Sequence, residues 1–398
     1  MHFDEATVRK LAYGYVMGTK GYWKVNDKCF FNKAECLRYA SSIKNYNVTF
    51  HFFDEVYKTL DWSKEPIEDL DELYRRRAQQ LRDKYEYLIL WFSGGEDSKN
   101  ILDVFLKNNI KLDEICAYAP VKALDKLRHY FDVNNKSPEF VIFEYEQAVV
   151  PVLNSLKNTN PEIKISIFDY TERSIECILS GNVHAFTKGG YNFSTQFVGG
   201  RMIHEHAVKL NRKLCNILGT DKPRIILNPY TQKFGQVFHD LTGSLADSDV
   251  GYSNLDSFTE GFYYTPDMPE ITLKQSKVIK RNLESLLPLN ENIDKLKKLV
   301  SHVDAERMIH IDVHDPYIER MLYPNLGFPD WQAKKNNSFF YMESGSWLFN
   351  SMLSEKKVID FYNGQLKEFI YGIDNKFIRY NNHRPTHFAM YYTKPNWL

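Results

Sequence analysis

What this chain of 398 residues lacks closes off several classes of protein. It has no C-x-x-C pair. Its five cysteines, Cys29, Cys36, Cys116, Cys177 and Cys215, are scattered and odd in number, which fits buried thiols in a reducing compartment rather than a disulfide framework. It has no charge excess: 51 Lys and Arg balance 51 Asp and Glu. That argues against a protein whose main task is coating nucleic acid, although a local basic cleft stays open. No run reaches the ~18 apolar residues of a membrane span. The opening MHFDEATVRK has no apolar signal core. There is no internal repeat and no low-complexity tract. The expectation is a soluble, cytoplasmic protein with no membrane partner. Its length suggests two or three packed units, and at 43% hydrophobic residues it can bury large cores.

What is present centres on Tyr87–Phe105, YLILWFSGGEDSKNILDVF. Tyr87–Phe92 is a short apolar run of aromatic and branched residues, the pattern of a buried parallel strand. Ser93-Gly94-Gly95-Glu96-Asp97-Ser98 follows as a tight loop. Gly94 and Gly95 permit a sharp turn with positive φ and leave no side chain in the way of a ligand. Asp97 or Ser98 can cap the next helix, on which Ile101, Leu102, Val104 and Phe105 form an apolar stripe. Such a loop aims several N–H groups and a positive dipole end at one place, and Ser93 and Ser98 flank it with hydroxyls. The chemistry is that of a polyphosphate cradle. It is neither a Walker loop, which needs Gly-x-x-x-x-Gly-Lys, nor a G-x-G-x-x-G dinucleotide turn.

Residues 1–62 read as a small α+β unit. Tyr22–Val25 and Cys29–Phe31 are strands about an Asn26-Asp27 turn. Asn32–Ile43 is a helix with Cys36, Tyr39, Ala40 and Ile43 on one face, and Asn47–Phe53 alternates like a strand. The unit is taken as a cap or dimerisation element, with substrate recognition as the alternative. Ser63 opens a helix whose buried stripe is Ile67, Leu70, Leu73, Tyr74 and Leu81. Arg75, Arg76 and Arg77 lie on its other sides, with Asp71 and Glu72 as partners. After the loop helix, Leu112–Tyr118, Phe140–Tyr145 and Ile163–Phe168 read as strands, the last ending at Asp169. Ala123–Asp132 and Gln147–Leu156 read as helices. Over 63–287 this alternation predicts an α/β fold: a doubly wound, mainly parallel sheet with flanking helices and the ligand beyond the strand C-termini.

Residues 181–201 hold five of the nineteen glycines and lead into a helix, Met202–Leu214. Lys188 and Arg201 there could hold phosphate or carboxylate, with a flexible surface loop as the alternative. His204 and His206 read as ordinary helix residues. Another helix, Leu273–Leu287, follows Phe262–Asp267. Residues 288–398 read as a mainly helical C-terminal region with aromatic loops, in which Trp331, Trp347 and Trp397 are packing residues. His310, Asp312 and His314, with His383 or His387, offer the donor types of an iron facial triad. The jelly-roll pattern that chemistry uses is missing, so a polar turn before Pro316 is preferred.

Ser-Gly-Gly-x-Asp-Ser after a hydrophobic strand resembles the PP-loop of the ATP pyrophosphatase superfamily. That group includes asparagine synthetase, GMP synthetase, argininosuccinate synthetase, tRNA lysidine and thiolation enzymes, and PAPS reductase. The run Trp62–Ser98, with its acidic, arginine-rich helix, is similar to PP-loop proteins of large tailed-phage genomes. The resemblance implies an adenine nucleotide alpha hydrolase-like, Rossmann-like fold with ATP and Mg²⁺ as cofactors. Ser93, Gly94, Gly95, Glu96, Asp97 and Ser98 would bind the phosphates, with Asp97 on Mg²⁺. Backbone at Ile115–Tyr118 would lie on the adenine side, which brings in Tyr118. Gly219-Thr220-Asp221-Lys222 matches the family's second segment, a strand ending in a small residue beside an acidic group. Asp221 could share Mg²⁺ with Asp97, and Lys222 could neutralise phosphate charge. A turn before a strand is the plainer alternative. Lys274 sits near a helix start, where a cation is better tolerated if an anion also binds. Asp97, Lys222 and Lys274 are the candidate catalytic residues.

Further absences narrow the reaction. Position 2 is His2, not the cysteine of glutamine-dependent asparagine synthetases, and the stretch before Ser63 is too short for a glutaminase domain. The paired cysteines of thiolation enzymes are missing. The last cysteine is Cys215, which disfavours PAPS reductase chemistry. The expectation is an adenylate-forming, ligase-type enzyme that converts ATP to AMP and pyrophosphate. It would activate a carboxyl or carbonyl oxygen for attack by an amine or ammonia. The acceptor would be a small molecule, a nucleotide or a nucleic-acid base. A nucleotide sensor without turnover is the alternative. If phage-encoded, the chain would work in the host cytoplasm; a homo-oligomer is left open.

Overall fold

The strand that leads into the glycine loop is the middle strand of a five-stranded parallel sheet in a computed structural model of the chain. The structure describes residues 21–30, 33–125, 129, 144–179, 202, 205–210, 212–219, 222–240, 257–304, 306–311, 316–323, 326, 364, 371–381, 384–388 and 391–398. The sheet contains β4 (Tyr87–Trp91), β5 (Glu114–Ala119), β6 (Lys164–Asp169), β7 (Leu214–Leu218) and β10 (Ser257–Gly261), in the order β10-β7-β4-β5-β6. The chain runs outward from β4 through β5 to β6, then returns to place β7 and β10 on the other side. Strand order therefore reverses between β4 and β7, the kind of position at whose strand carboxyl ends open α/β sheets bind ligands. β4 is apolar without alternation because both its faces are covered. Leu88, Leu90 and Phe92 join the main core, while Ile89 and Trp91 meet Cys116, Ala207 and Leu214 on the other face.

Two helices form the main layer against this sheet, α3 (Leu70–Lys84) and α4 (Glu96–Lys107). Ile101 and Phe105 of α4 are fully buried, and each such side chain contributes about 1.5–3 kcal/mol by leaving water. Among the described residues of the N-terminal unit, from Gly21 on, the elements follow the order expected from sequence. β1 (Gly21–Val25), β2 (Lys28–Phe30) and β3 (Thr49–Phe52) make an antiparallel sheet in the order β2-β1-β3, with α1 (Lys33–Ser42) packed on it. A single turn, α2 (Asp54–Tyr57), leads out. The unit shares its core with the rest of the chain: Phe52 lies 4.6 Å from Phe238, ring to ring, and Tyr57 4.5 Å from the same ring.

A second five-stranded sheet has no counterpart in the sequence reading. β8 (Arg224–Asn228) and β9 (Lys233–Val237) form a hairpin, extended by β11 (Val300–Val303), β12 (Ile309–Ile311) and β15 (Asn396–Trp397) in the antiparallel order β11-β12-β8-β9-β15. Strands from both sides of residue 287 thus share one sheet. A further hairpin joins β13 (Ile378–Asn381) to β14 (Arg384–Phe388). Much of the expected mainly helical C-terminal region, including 327–363, lies outside the described residues. Among its described residues there are five strands beside α8 (Leu289–Leu299), the short α9 (Pro316–Leu322) and one 3₁₀ turn. These strands are five residues long or shorter, too short to show a period of two, and β12 and β15 are held by pairing with the distant β8 and β9.

Three other expectations change. The helix expected from Ser63 begins at Leu70, because Asp69 accepts a hydrogen bond from the Glu72 N–H at 2.8 Å and caps it. Pro66 also disfavours helical backbone in the residue before it. Ile67, expected in the buried stripe, is 99% exposed. The strand expected at Phe140–Tyr145 fails at its end: Glu144–Val149 is a π-helical turn that runs into α5 (Val150–Thr159), and 140–143 lie outside the described residues. Leu214, expected to end a helix, opens β7, since Leu214–Leu218 is buried between β4 and β10. Residues 205–210 are helical, as expected.

Candidate functional site

The loop 93–98 leaves β4 at the reversal point and enters α4 at once. Two glycines make this possible. Gly94 has φ 85°, and a Cβ there would stand 2.9 Å from both Ala148 Cβ and Val149 Cγ2. Gly219 follows β7, and a Cβ there would lie 3.1 Å from the Ser98 nitrogen and 3.3 Å from the Asp97 carbonyl carbon. The second segment predicted from sequence therefore abuts the first turn of α4. Within the loop, Ser98 Oγ donates to the Gly95 carbonyl at 3.0 Å and stands 3.3 Å from Ser93 Oγ, which in turn accepts from the Gly95 N–H at 3.3 Å. Ser93 is exposed and Ser98 buried, so the hydroxyl pair spans from the interior to the surface. The first turn of α4 supplies N–H groups that have no intrahelical acceptor and the positive end of the helix dipole.

Asp97 is the hub of a buried network. Lys222 Nζ is 2.9 Å from its carboxylate and 3.2 Å from Glu319 Oε1. Tyr323 OH donates to Asp97 Oδ1 at 2.5 Å, and Tyr263 OH donates to the Asp97 carbonyl at 2.8 Å. Asn100 donates to Tyr263 OH at 3.0 Å, and Tyr264 OH donates to the Lys222 carbonyl. Lys222 is 1% exposed. Burial works against its ammonium, yet the carboxylates of Asp97, Glu319 and Glu96 outweigh that and hold its pKa above the usual lysine range. The Tyr323 phenol is pushed well up by burial and by the Asp97 charge, so it stays a donor. Tyr74, Tyr263 and Tyr323 pack ring to ring, 5.5–6.5 Å apart, beneath the network.

An aromatic wall stands on the other face at the same end of the sheet. Trp91 of β4 lies 5.5 Å from Phe168 and 6.2 Å from Tyr118, and Tyr118 lies 5.9 Å from Tyr170. Trp91 Nε1 donates to Asn216 Oδ1 at 2.9 Å, which fixes its ring. Tyr118 is half-buried, and its phenol is raised by burial and by Glu144.

The structure thus brings Ser93–Ser98, Gly219 and Lys222 together, with Tyr118 on the neighbouring strand. It does not bring Lys274 to them: that ammonium holds Glu65 at 2.8 Å and the Pro66 carbonyl at 2.9 Å, bracing the approach to α3. Asp221, Lys188 and Arg201 lie outside the described residues, as do His204, Asp312, His314, His383, Trp331 and Trp347. His310 is in strand β12 rather than a turn; it bonds Asp304 at 3.0 Å and stacks 4.1 Å from His302. Of the arginine triplet, Arg75 pairs with Glu72 and Arg76 with Glu68. Arg77 is instead fully buried and pairs with Glu260 of β10 at 2.6 Å.

Sequence reasoning missed Glu319, Tyr323 and Tyr263. A Glu and a Tyr four apart share one helix face, but nothing in the local pattern aims that face at Asp97. No family model matches the chain, and no curated protein matches it. The functional reading therefore rests on the geometry of the loop and its neighbours.

Proposed function

We propose that the chain is an ATP pyrophosphatase of the PP-loop type, which forms an adenylate on a carboxyl or carbonyl oxygen, after which an amine or ammonia attacks the adenylated carbon and AMP leaves. What carries this reading is a Ser-Gly-Gly-x-Asp-Ser loop at the reversal point of a parallel sheet, with a buried lysine converging on its aspartate. The loop N–H groups with Ser93 and Ser98 hold the outer phosphates. The aromatic wall at Trp91, Tyr118 and Phe168 suits a nucleobase. A substrate oxygen attacks the α-phosphorus as the bond to the bridging oxygen of the β-phosphate breaks, and pyrophosphate leaves with that electron pair. Lys222 offsets the charge that builds on the leaving group, and Tyr323 and Tyr263 hold Asp97 in one orientation meanwhile. Asp97 supplies the hard oxygen donors that Mg²⁺ takes, and the ion would add charge neutralisation at the pyrophosphate.

One observation favours a second reading. The Lys222 ammonium is already engaged by Asp97 and Glu319, as it would be in a nucleotide sensor that binds without turnover. Pyrophosphate release from ATP and Mg²⁺, assayed against pools of amino acids and nucleotides, separates the two. Release that disappears in Asp97→Ala supports the enzyme. ATP binding with no release in any pool selects the sensor, and no ATP binding at all removes both. Salt-sensitive retention on tRNA or DNA would instead place the acceptor on a polymer.

A further inference from the structure

We propose that Glu114, Cys116 and His206 form a binding site for a zinc-class divalent cation, separate from the cradle. Glu114 and Cys116 alternate on β5, so their side chains leave the same face of the sheet. That face is opposite the one packed by α4, since Cys116 belongs to the small core of Ile89, Trp91, Ala207 and Leu214. His206 is laid over it from the helical stretch 205–210. One ligand atom from each of the three residues lies within 4.8 Å of the other two. Glu114 and Cys116 are fully buried, and His206 Nε2 is 3.0 Å from Glu114 Oε1.

The donor set selects the ion. Sulfur, imidazole and carboxylate together suit zinc, whereas Mg²⁺ and Ca²⁺ take oxygen alone. The carboxylate is oriented from outside, as metal-binding carboxylates are. Tyr87 OH donates to it at 3.0 Å and Ser166 Oγ at 2.5 Å, and Lys164 Nζ stands 3.1 Å away. Lys164 is half-exposed, so its ammonium can turn to solvent when a cation arrives. On binding, the Cys116 S–H bond gives way to a metal–sulfur bond and the proton leaves to solvent, with no change of oxidation state. The ion would fasten the 205–210 stretch to β5. His206 also meets Phe168 edge-on at 5.1 Å, so the clamp would steady one side of the aromatic wall. The site lies on the face of the sheet opposite α4, beside Trp91, with which Cys116 is in register, and needs no nucleotide.

The test uses the full chain, reduced, without a histidine tag and cleared of metal by a chelator. Co²⁺ is the spectroscopic probe and Zn²⁺ the competitor. One equivalent of Co²⁺ per chain should give a thiolate-to-cobalt charge-transfer band in the near ultraviolet that Zn²⁺ abolishes. The band should be absent in Cys116→Ala, and Zn²⁺ affinity should fall about tenfold or more in His206→Ala. Zn²⁺ should raise the melting temperature of the wild type and not of Cys116→Ala. Cys116→Ser keeps the volume and replaces the alanine variant if that one does not fold. A folded wild type without the band overturns the proposal, as does a band unchanged by either cysteine substitution. The cluster is then a buried ion-pair network alone.

Discussion

At Gly94 a single backbone angle decides whether the loop 93–98 forms. With φ at 85° and two side chains 2.9 Å from where a Cβ would stand, no other residue fits without displacement. Gly94→Ala is expected to lose more than about 1 kcal/mol, read as a lower urea midpoint with unchanged slope. Tyr323 is the complementary case, a residue whose backbone is ordinary and whose hydroxyl matters. It donates to Asp97 from a fully buried position. Tyr323→Phe removes one hydrogen bond to a charged group, about 1.5–3 kcal/mol. Its expected signature in the proposed reaction is a lower kcat for pyrophosphate release with KM for ATP little changed. An unchanged kcat in a folded variant would show that the hydroxyl only packs.

Elements carry their own tests. Helix α3 starts where Asp69 caps it, not at Ser63. Asp69→Ala should therefore cost about 1 kcal/mol, while Ser63→Ala should leave the urea midpoint in place. The same helix is tied to β10 by Arg77 and Glu260, both without solvent exposure. Burial opposes the Glu260 charge, but Arg77, Lys84 and Tyr85 outweigh it and hold the carboxyl below its usual value of 4.5. Its stabilisation is thus fully present above that value and is lost as pH falls through the lower folded pKa. In Glu260→Gln the acid-side decline of stability should be shallower than in the wild type. At neutral pH the variant should be weaker by about 3–5 kcal/mol, because Arg77 is left buried without its partner. Denaturant melts at neutral and acid pH would read both effects.

At the scale of the whole molecule, the N-terminal residues share a core with residues from the middle and end of the chain. Phe238 is 1% exposed and touches Phe52 and Tyr57 of the N-terminal region as well as Tyr264. The second sheet takes strands from the middle and the end of the chain. Phe238→Ala should cost about 3–5 kcal/mol. It should lower one unfolding transition followed alike by far-ultraviolet and aromatic signals. Two separated transitions in the wild type would instead show that the N-terminal unit folds independently. Among the described residues no helix is long and apolar enough to cross a membrane.

The sequence by itself determined the strand, loop and helix at Tyr87–Lys107, the β-β-α-β order of the N-terminal unit and the strand Lys164–Asp169. Their signals are local: an apolar run, a glycine pair, a face repeated at helical spacing. It also marked Gly219 and Lys222 as partners of the loop, through resemblance rather than through any local rule. Only the tertiary structure decided who meets Asp97. Tyr323 lies 226 positions away and Arg77 finds Glu260 across 183. A periodic pattern states which face of an element is buried but not which element covers it. The same reason hid the second sheet, whose strands are too short to declare themselves and are stabilised by their pairing. It also kept Lys274 off the site: its charge was legible, but its commitment to Glu65 and Pro66 follows from how α7 (Glu270–Glu284) packs near the start of α3.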